Sequence, residues 1–201
     1  MRKINPENLT QKENYKLLIG SVIPRPIALV TTQSDDGILN IAPFSFFNVV
    51  SSEPPILSIA VQRVNGKSKD TARNILQNKE AVIHIIDNEN VENANQTAAM
   101  LSSNESELER TTFNTVESST VAVPGLRESK VRFETSLYDA IEIKDGESIV
   151  SDLLLFKVNQ YHFDESIYDD GYINKDKLNA ISRLAGNDYA EIGRTFAIQR
   201  P

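Results

Sequence analysis

The apolar positions of this chain fall into short runs divided by turn residues, and their period is mostly two. Residues 27–32 are rich in β-formers and end in a turn at 33–37, where Asp36-Gly37 is the strongest signal. Residues 38–42 then predict an antiparallel return. Pro43 interrupts. Residues 44–50 predict a third strand, 51–55 a break and 56–61 a fourth strand. Beyond an Asn65-Gly66 turn, Ala72, Ile75 and Leu76 stand at helical spacing and predict a short amphipathic helix over Asp70–Asn78. Residues 80–87 form a fifth run. Residues 131–143 and 149–162 are long strands joined at Asp145-Gly146.

The remaining segments are less periodic. Asn5-Pro6-Glu7 predicts a helix start, with the helix running to Ile19, stopped by Gly20 and packing Tyr15, Leu18 and Ile19 on the core. Pro24 and Pro26 hold Arg25 extended. Residues 88–110 are polar and predict one or two surface helices capped by Asn88 and Ser103, followed by an irregular stretch over 111–124. Residues 168–184 predict a turn and a short helix. With at least six β-runs and short turns, the expected architecture is mainly β (α+β), a barrel with peripheral helices in one domain over 1–201. A doubly wound α/β sheet is the alternative, disfavoured because the first four strands are joined by turns too short for parallel crossovers.

Composition narrows the chemistry. The net charge of -7 argues against nucleic acid as a partner, since phosphate contacts need a basic face. Cysteine is absent, which excludes thiol catalysis, disulfides and thiolate metal sites. No window approaches the ~18–20 apolar residues of a membrane span. The first residues carry no apolar signal core, so the expected location is cytoplasmic and no membrane partner is expected.

Against that acidic background, Arg63, Lys67, Lys69 and Arg73 cluster around a helix start that also carries Ser68 and Thr71. Free N–H groups and a positive dipole end there suit a phosphate monoester, or else a plain helix cap on a solvated surface. Neither GxxxxGK[ST] nor GxGxxG occurs. In the aromatic run, strict alternation puts Phe44, Phe46 and Asn48 on one face and Ser45, Phe47 and Val49 on the other. Such a surface suits a flat heterocycle, or simply the core. The stretch LNAISRLAGNDY over 178–189 reads as a helix end with a glycine cap. His84 and His162 lack metal-ligand spacing, and no serine lies in a nucleophile elbow.

The motifs RPIAL-TT, N-AP-SFFN-VS--PP and R--G--KDT--NI, in that order over 25–75, resemble the flavin reductase family, the FMN-binding split-barrel proteins. The resemblance implies noncovalent FMN, a homodimer with FMN near its interface, and hydride transfer from NADH or NADPH to flavin. Electrons then pass to an acceptor such as free flavin, oxygen or a metal complex. It implies that Arg63, Lys69 and Thr71 anchor the phosphate. Lys67 and Asp70 lie nearby, Asp70 capping the helix or pairing with a lysine. It implies flavin contacts from Thr31, Thr32, Ser45, Asn48 and Ser51, with Arg25 near the mouth of the site. Arg183, Gly186 and Tyr189 are similar to a family R-L-G-G--Y, with Ala185 in place of the first glycine, packed over the flavin or nicotinamide. Two other readings stay open: an electron carrier without turnover, and a barrel for another phosphorylated heterocycle such as pyridoxal phosphate, or for haem.

Overall fold

Seven strands form one antiparallel sheet in the order β2-β1-β5-β6-β7-β4-β3. They are β1 Ala28–Gln33, β2 Leu39–Phe44, β3 Phe47–Ser52, β4 Pro55–Gln62, β5 Glu80–Ile85, β6 Val131–Asp145 and β7 Ser148–Phe163. The computed structural model describes residues 1–201. Strands β2 and β3 are consecutive in sequence yet lie at opposite edges of the sheet, so Ser45-Phe46 crosses the seam of the barrel. This is the mainly β split barrel with peripheral helices that the sequence predicts.

Alternation along the strands builds two cores. Ala28, Val30, Ile59, Ile83 and Phe156 point inward, where helix α2 (Asp70–Asn78) adds Ala72 and Ile75. Leu29, Ile41 and Ile86 point outward and are covered by Ala94, Phe113, Leu126 and Ile181 of an outer layer. With both faces covered, β1 and β5 are buried almost end to end, Thr31, Thr32 and His84 included. The Asn65-Gly66 turn has φ of +52° and +75°, as an Asn-Gly pair permits.

Several local expectations are corrected. The first long helix, α1, is Gln11–Ser21 and is capped by Thr10, whose hydroxyl accepts from Glu13 N while Glu13 accepts from Thr10 N. That reciprocal capping box outcompetes Asn5, which caps only a 3-10 turn at Pro6–Asn8. The helix passes Gly20, and of the three residues expected to pack, only Ile19 is buried; Tyr15 is 45% and Leu18 59% exposed. The 44–50 run breaks at Ser45-Phe46, so Phe44 and Phe47 both enter the barrel core and the expected alternation fails there. In 88–110, one short helix α3 (Val91–Gln96) and a 3-10 turn (Glu107–Arg110) capped by Ser106 replace the expected helices.

Candidate functional site

Three neighbouring cavities lie along the seam and the N-terminus of α2, together termed the trough. Its first part, about 320 Å³, is bounded by Asn40, Phe44, Lys69, Asp70, Thr71 and Glu107. The second, about 350 Å³, shares Pro43 and Ala98 with the first and is walled by Ser45, Arg183, Tyr189 and Tyr15 of α1. A third, about 440 Å³, shares Ser45 and adds Asn48, Phe47, Leu18 and Val22.

The first part has the features of an anion cradle. Lys69 occupies the N-cap of α2 but makes no side-chain cap, so the first N–H groups of the helix lack a side-chain acceptor. Its ammonium lies 5.9 Å from the Phe44 ring centroid. Beneath it runs a chain of amides and hydroxyls. Asn40 Nδ2 donates to Thr71 Oγ1 at 2.9 Å and to Thr32 Oγ1 at 3.3 Å, and Asn74 Nδ2 donates to Thr32 at 3.2 Å. Thr32 therefore locks α2 to β1 rather than reaching the cavity. The two carboxylates of this part are already engaged. Asp70 pairs with Arg73 at 2.7 Å, and Glu107 accepts from Ile41 N at 2.8 Å. Burial pushes the Glu107 pKa up, opposed by that N–H bond.

In the second part, the Arg183 guanidinium lies 4.4 Å from the Tyr189 ring centroid, and the Tyr189 hydroxyl donates to Asn95 Oδ1 at 3.0 Å. The short pairing of Tyr189–Ala190 with Ser182–Arg183, and of that strand with Arg25–Pro26, sets this wall beside the seam.

Other expected site residues fall elsewhere. Arg63 binds Asp152 through Nη2 at 2.7 Å and Nε at 3.0 Å, with Asp152 2% exposed. Its side chain does not line the trough, a correction to its expected place at the phosphate. Arg25 touches the trough, but its guanidinium donates to Ile19 O, Val22 O and Leu184 O, so it staples α1 to the 182–184 strand. Thr31 is fully buried and donates to Pro124 O at 2.8 Å, away from the trough. Ser51 accepts from Glu53 N, and Lys67 is exposed on the turn; neither lines the trough. Glu107 and the 97–101 segment reach the cavity through tertiary packing, and no local pattern marks them; Asn40, which opens the N-AP motif, also lines it although no role was expected of it.

Relatives with known structures share this architecture. The model of the flavin reductase-like domain matches residues 19–180. The Bacillus subtilis (strain 168) protein YwrF is 52% identical over 198 residues, 97% of each chain. The crystal structure of nitrilotriacetate monooxygenase component B from Bacillus cereus superposes with a TM-score of 0.97 at 45% identity, covering 98% of both chains. That of 2-nitrobenzoate 2-nitroreductase NbaA from Pseudomonas fluorescens gives 0.89 at 29% identity, covering 100% of this chain and 96% of the other.

Proposed function

The chain belongs to the flavin reductase-like family, and from that premise we propose that it is an oxidoreductase that binds FMN noncovalently in the trough and uses NADH or NADPH as electron donor. The observation that carries this reading is the polarity of the trough from end to end. One end offers an uncapped helix start with Lys69 and Thr71, the other an aromatic and amide surface with Ser45, Asn48, Arg183 and Tyr189. A phosphate monoester attached to a flat heterocycle needs both.

A bound flavin supplies hydride acceptance and electron delivery with its own ring. The chain's residues bind and orient. Lys69 gives a charge-assisted contact and the first N–H groups of α2 give directed donors to the phosphate. Thr32, Asn40 and Asn74 fix the helix start that carries them. Ser45 and Asn48 offer hydrogen-bonding groups beside the seam. Arg183, held against Tyr189, walls the part of the trough where a nicotinamide could approach the ring. No helix of the structure is long and apolar enough to cross a membrane.

The reading includes a homodimer. Leu17, Leu18, Val22 and Ile23 of α1 and its end are exposed, as are Phe196 and Ile198 of the tail. Leu18 and Val22 also line the trough. A second copy over this face would remove apolar area from water at about 25 cal/mol per Å² and close the third part of the trough.

An anaerobic visible spectrum with FMN, before and after NADH and then NADPH, tests the assignment. A perturbed flavin spectrum that bleaches on adding either nucleotide is expected. A perturbed spectrum that stays oxidised would make the protein a carrier. An unperturbed spectrum with no turnover would leave only the fold in common.

A further inference from the structure

We propose that the cleft between the 127–132 turn and the end of β7 is a second anion site, built for a phosphate group and separate from the trough. The cleft holds about 310 Å³ and shares no lining residue with the trough parts. Arg127, Lys130, Arg132 and His162 converge on it, in a chain whose net charge is -7.

Two of these side chains have partners. Lys130 Nζ lies 2.6 Å from Glu89 and 3.7 Å from Asp87, and His162 Nε2 lies 2.6 Å from Glu134. Arg127 and Arg132 have none: no carboxylate lies within 4.0 Å of either guanidinium, and Arg132 makes one long bond, to Leu126 O at 3.4 Å. Burial, the larger cause, and the charge of Arg127 push the Arg132 pKa down, against the pull of Glu134. Neither guanidinium is in an ion pair, and Glu134, which attracts Arg132, is itself held by His162 and the Ser119 and Thr120 N–H groups. Ser129, 6% exposed, also lines the cleft, and its hydroxyl is buried without a hydrogen-bond partner. Asp164 is the one carboxylate among the lining residues, and its Oδ1 accepts from Ser166 N at 2.8 Å.

The surroundings hold the arrangement in place. His84 Nε2 accepts from Leu126 N at 2.9 Å, and burial keeps that ring neutral, so it fixes the turn without adding charge. A Cβ on Gly125 would meet Arg132 Cδ at 3.0 Å, so the bare backbone there leaves room for the Arg132 stem. Tyr161 and Phe163 flank His162 in β7, and their rings pack on Phe133, on the other face of the strand pair from Arg132 and His162. Two guanidiniums outside any ion pair, beside a buried hydroxyl with no partner, fit free phosphate or the phosphate of a nucleotide.

Calorimetric titration of the full-length protein with inorganic phosphate and, separately, with AMP tests this, each read against NaCl at matched ionic strength. Lys69→Ala serves as the trough control, so the result does not depend on the FMN assignment. In the Lys69→Ala background, where the trough has lost its own unpaired cation, phosphate should still bind. Arg127→Gln and Arg132→Gln should each weaken that binding at least tenfold, about the effect of losing one charge-assisted contact. Arg127→Lys, which keeps the charge, should retain most of the affinity. In NaCl, Arg127→Gln should unfold no earlier than wild type, because it removes a repulsion. AMP binding tighter than phosphate would identify the nucleotide source, and equal binding the free ion. Heat no greater than that of NaCl dilution, or binding lost in Lys69→Ala and kept in Arg127→Gln, would overturn the proposal.

Discussion

Replacing Arg63 and Lys69 one at a time should separate two roles that look alike in sequence. Arg63 holds Asp152 with two bonds of 2.7 and 3.0 Å, and Asp152 is 2% exposed. Glu142, 3.8 Å from Arg63 and half exposed, adds little. In Arg63→Ala the Asp152 carboxylate keeps only the Ser68 hydroxyl at 3.5 Å. Breaking a buried pair costs about 3–5 kcal/mol, and the Arg63 side chain, 15% exposed, leaves an opening for water, so the lower end applies. About 3 kcal/mol in a domain of this size lowers Tm by roughly 6–12 °C. Lys69 makes no ion pair in the protein, so Lys69→Ala should change stability by less than about 0.5 kcal/mol. It should instead weaken FMN by about 1.5–3 kcal/mol, on the order of 10- to 150-fold, and leave riboflavin untouched. Urea denaturation without ligand reads the first effect, and flavin-fluorescence titrations with FMN and riboflavin read the second. On an Asp152→Asn background, the cost of Arg63→Ala should fall below about 1 kcal/mol. If Arg63→Ala left stability unchanged and abolished the preference for FMN over riboflavin, Arg63 would be a phosphate ligand after all, and the structural assignment would fail.

His84 is fully buried, with Nδ1 2.8 Å from Leu29 O, and burial drives its pKa from 6.5 down to about 3. The unfolded chain takes up a proton below pH 6.5 that the folded chain refuses, so this contribution is complete above 6.5 and declines as pH falls toward 3. The slope should reach at most about 1.4 kcal/mol per pH unit, and it should be missing from His84→Gln in denaturation curves from pH 7 to 5. Equal slopes in both proteins would refute it. Arg25→Lys cannot reach Ile19, Val22 and Leu184 carbonyls with one ammonium, so a loss of about 2 kcal/mol is expected in urea, and a change under 0.5 kcal/mol would remove the staple from the account. Wild type should sediment as two chains and Leu18→Glu as one; a wild-type particle of 22.4 kDa would rule out the dimer.

How far the sequence could be read depended on how local each determinant was. Strand runs and the α2 helix were legible because period-two and helical patterns are set within a few residues. The outward turn of Tyr15 and Leu18 was not, because an amphipathic face looks the same whether it meets the chain's own core or something else. The site shows the same limit. Four cations cluster at 63–73, and composition alone assigns them one purpose. The fold divides them. Pairing of β4 with β7 carries Arg63 to Asp152, 89 residues away; Arg73 turns to Asp70, three positions back; Lys67 stays on the exposed turn. Lys69 alone faces the trough without a carboxylate of its own. A phosphate site needs a cation whose charge is not already spent within the fold, and a local pair at Arg73 together with the long-range pairing of strands at Arg63 determines which one that is.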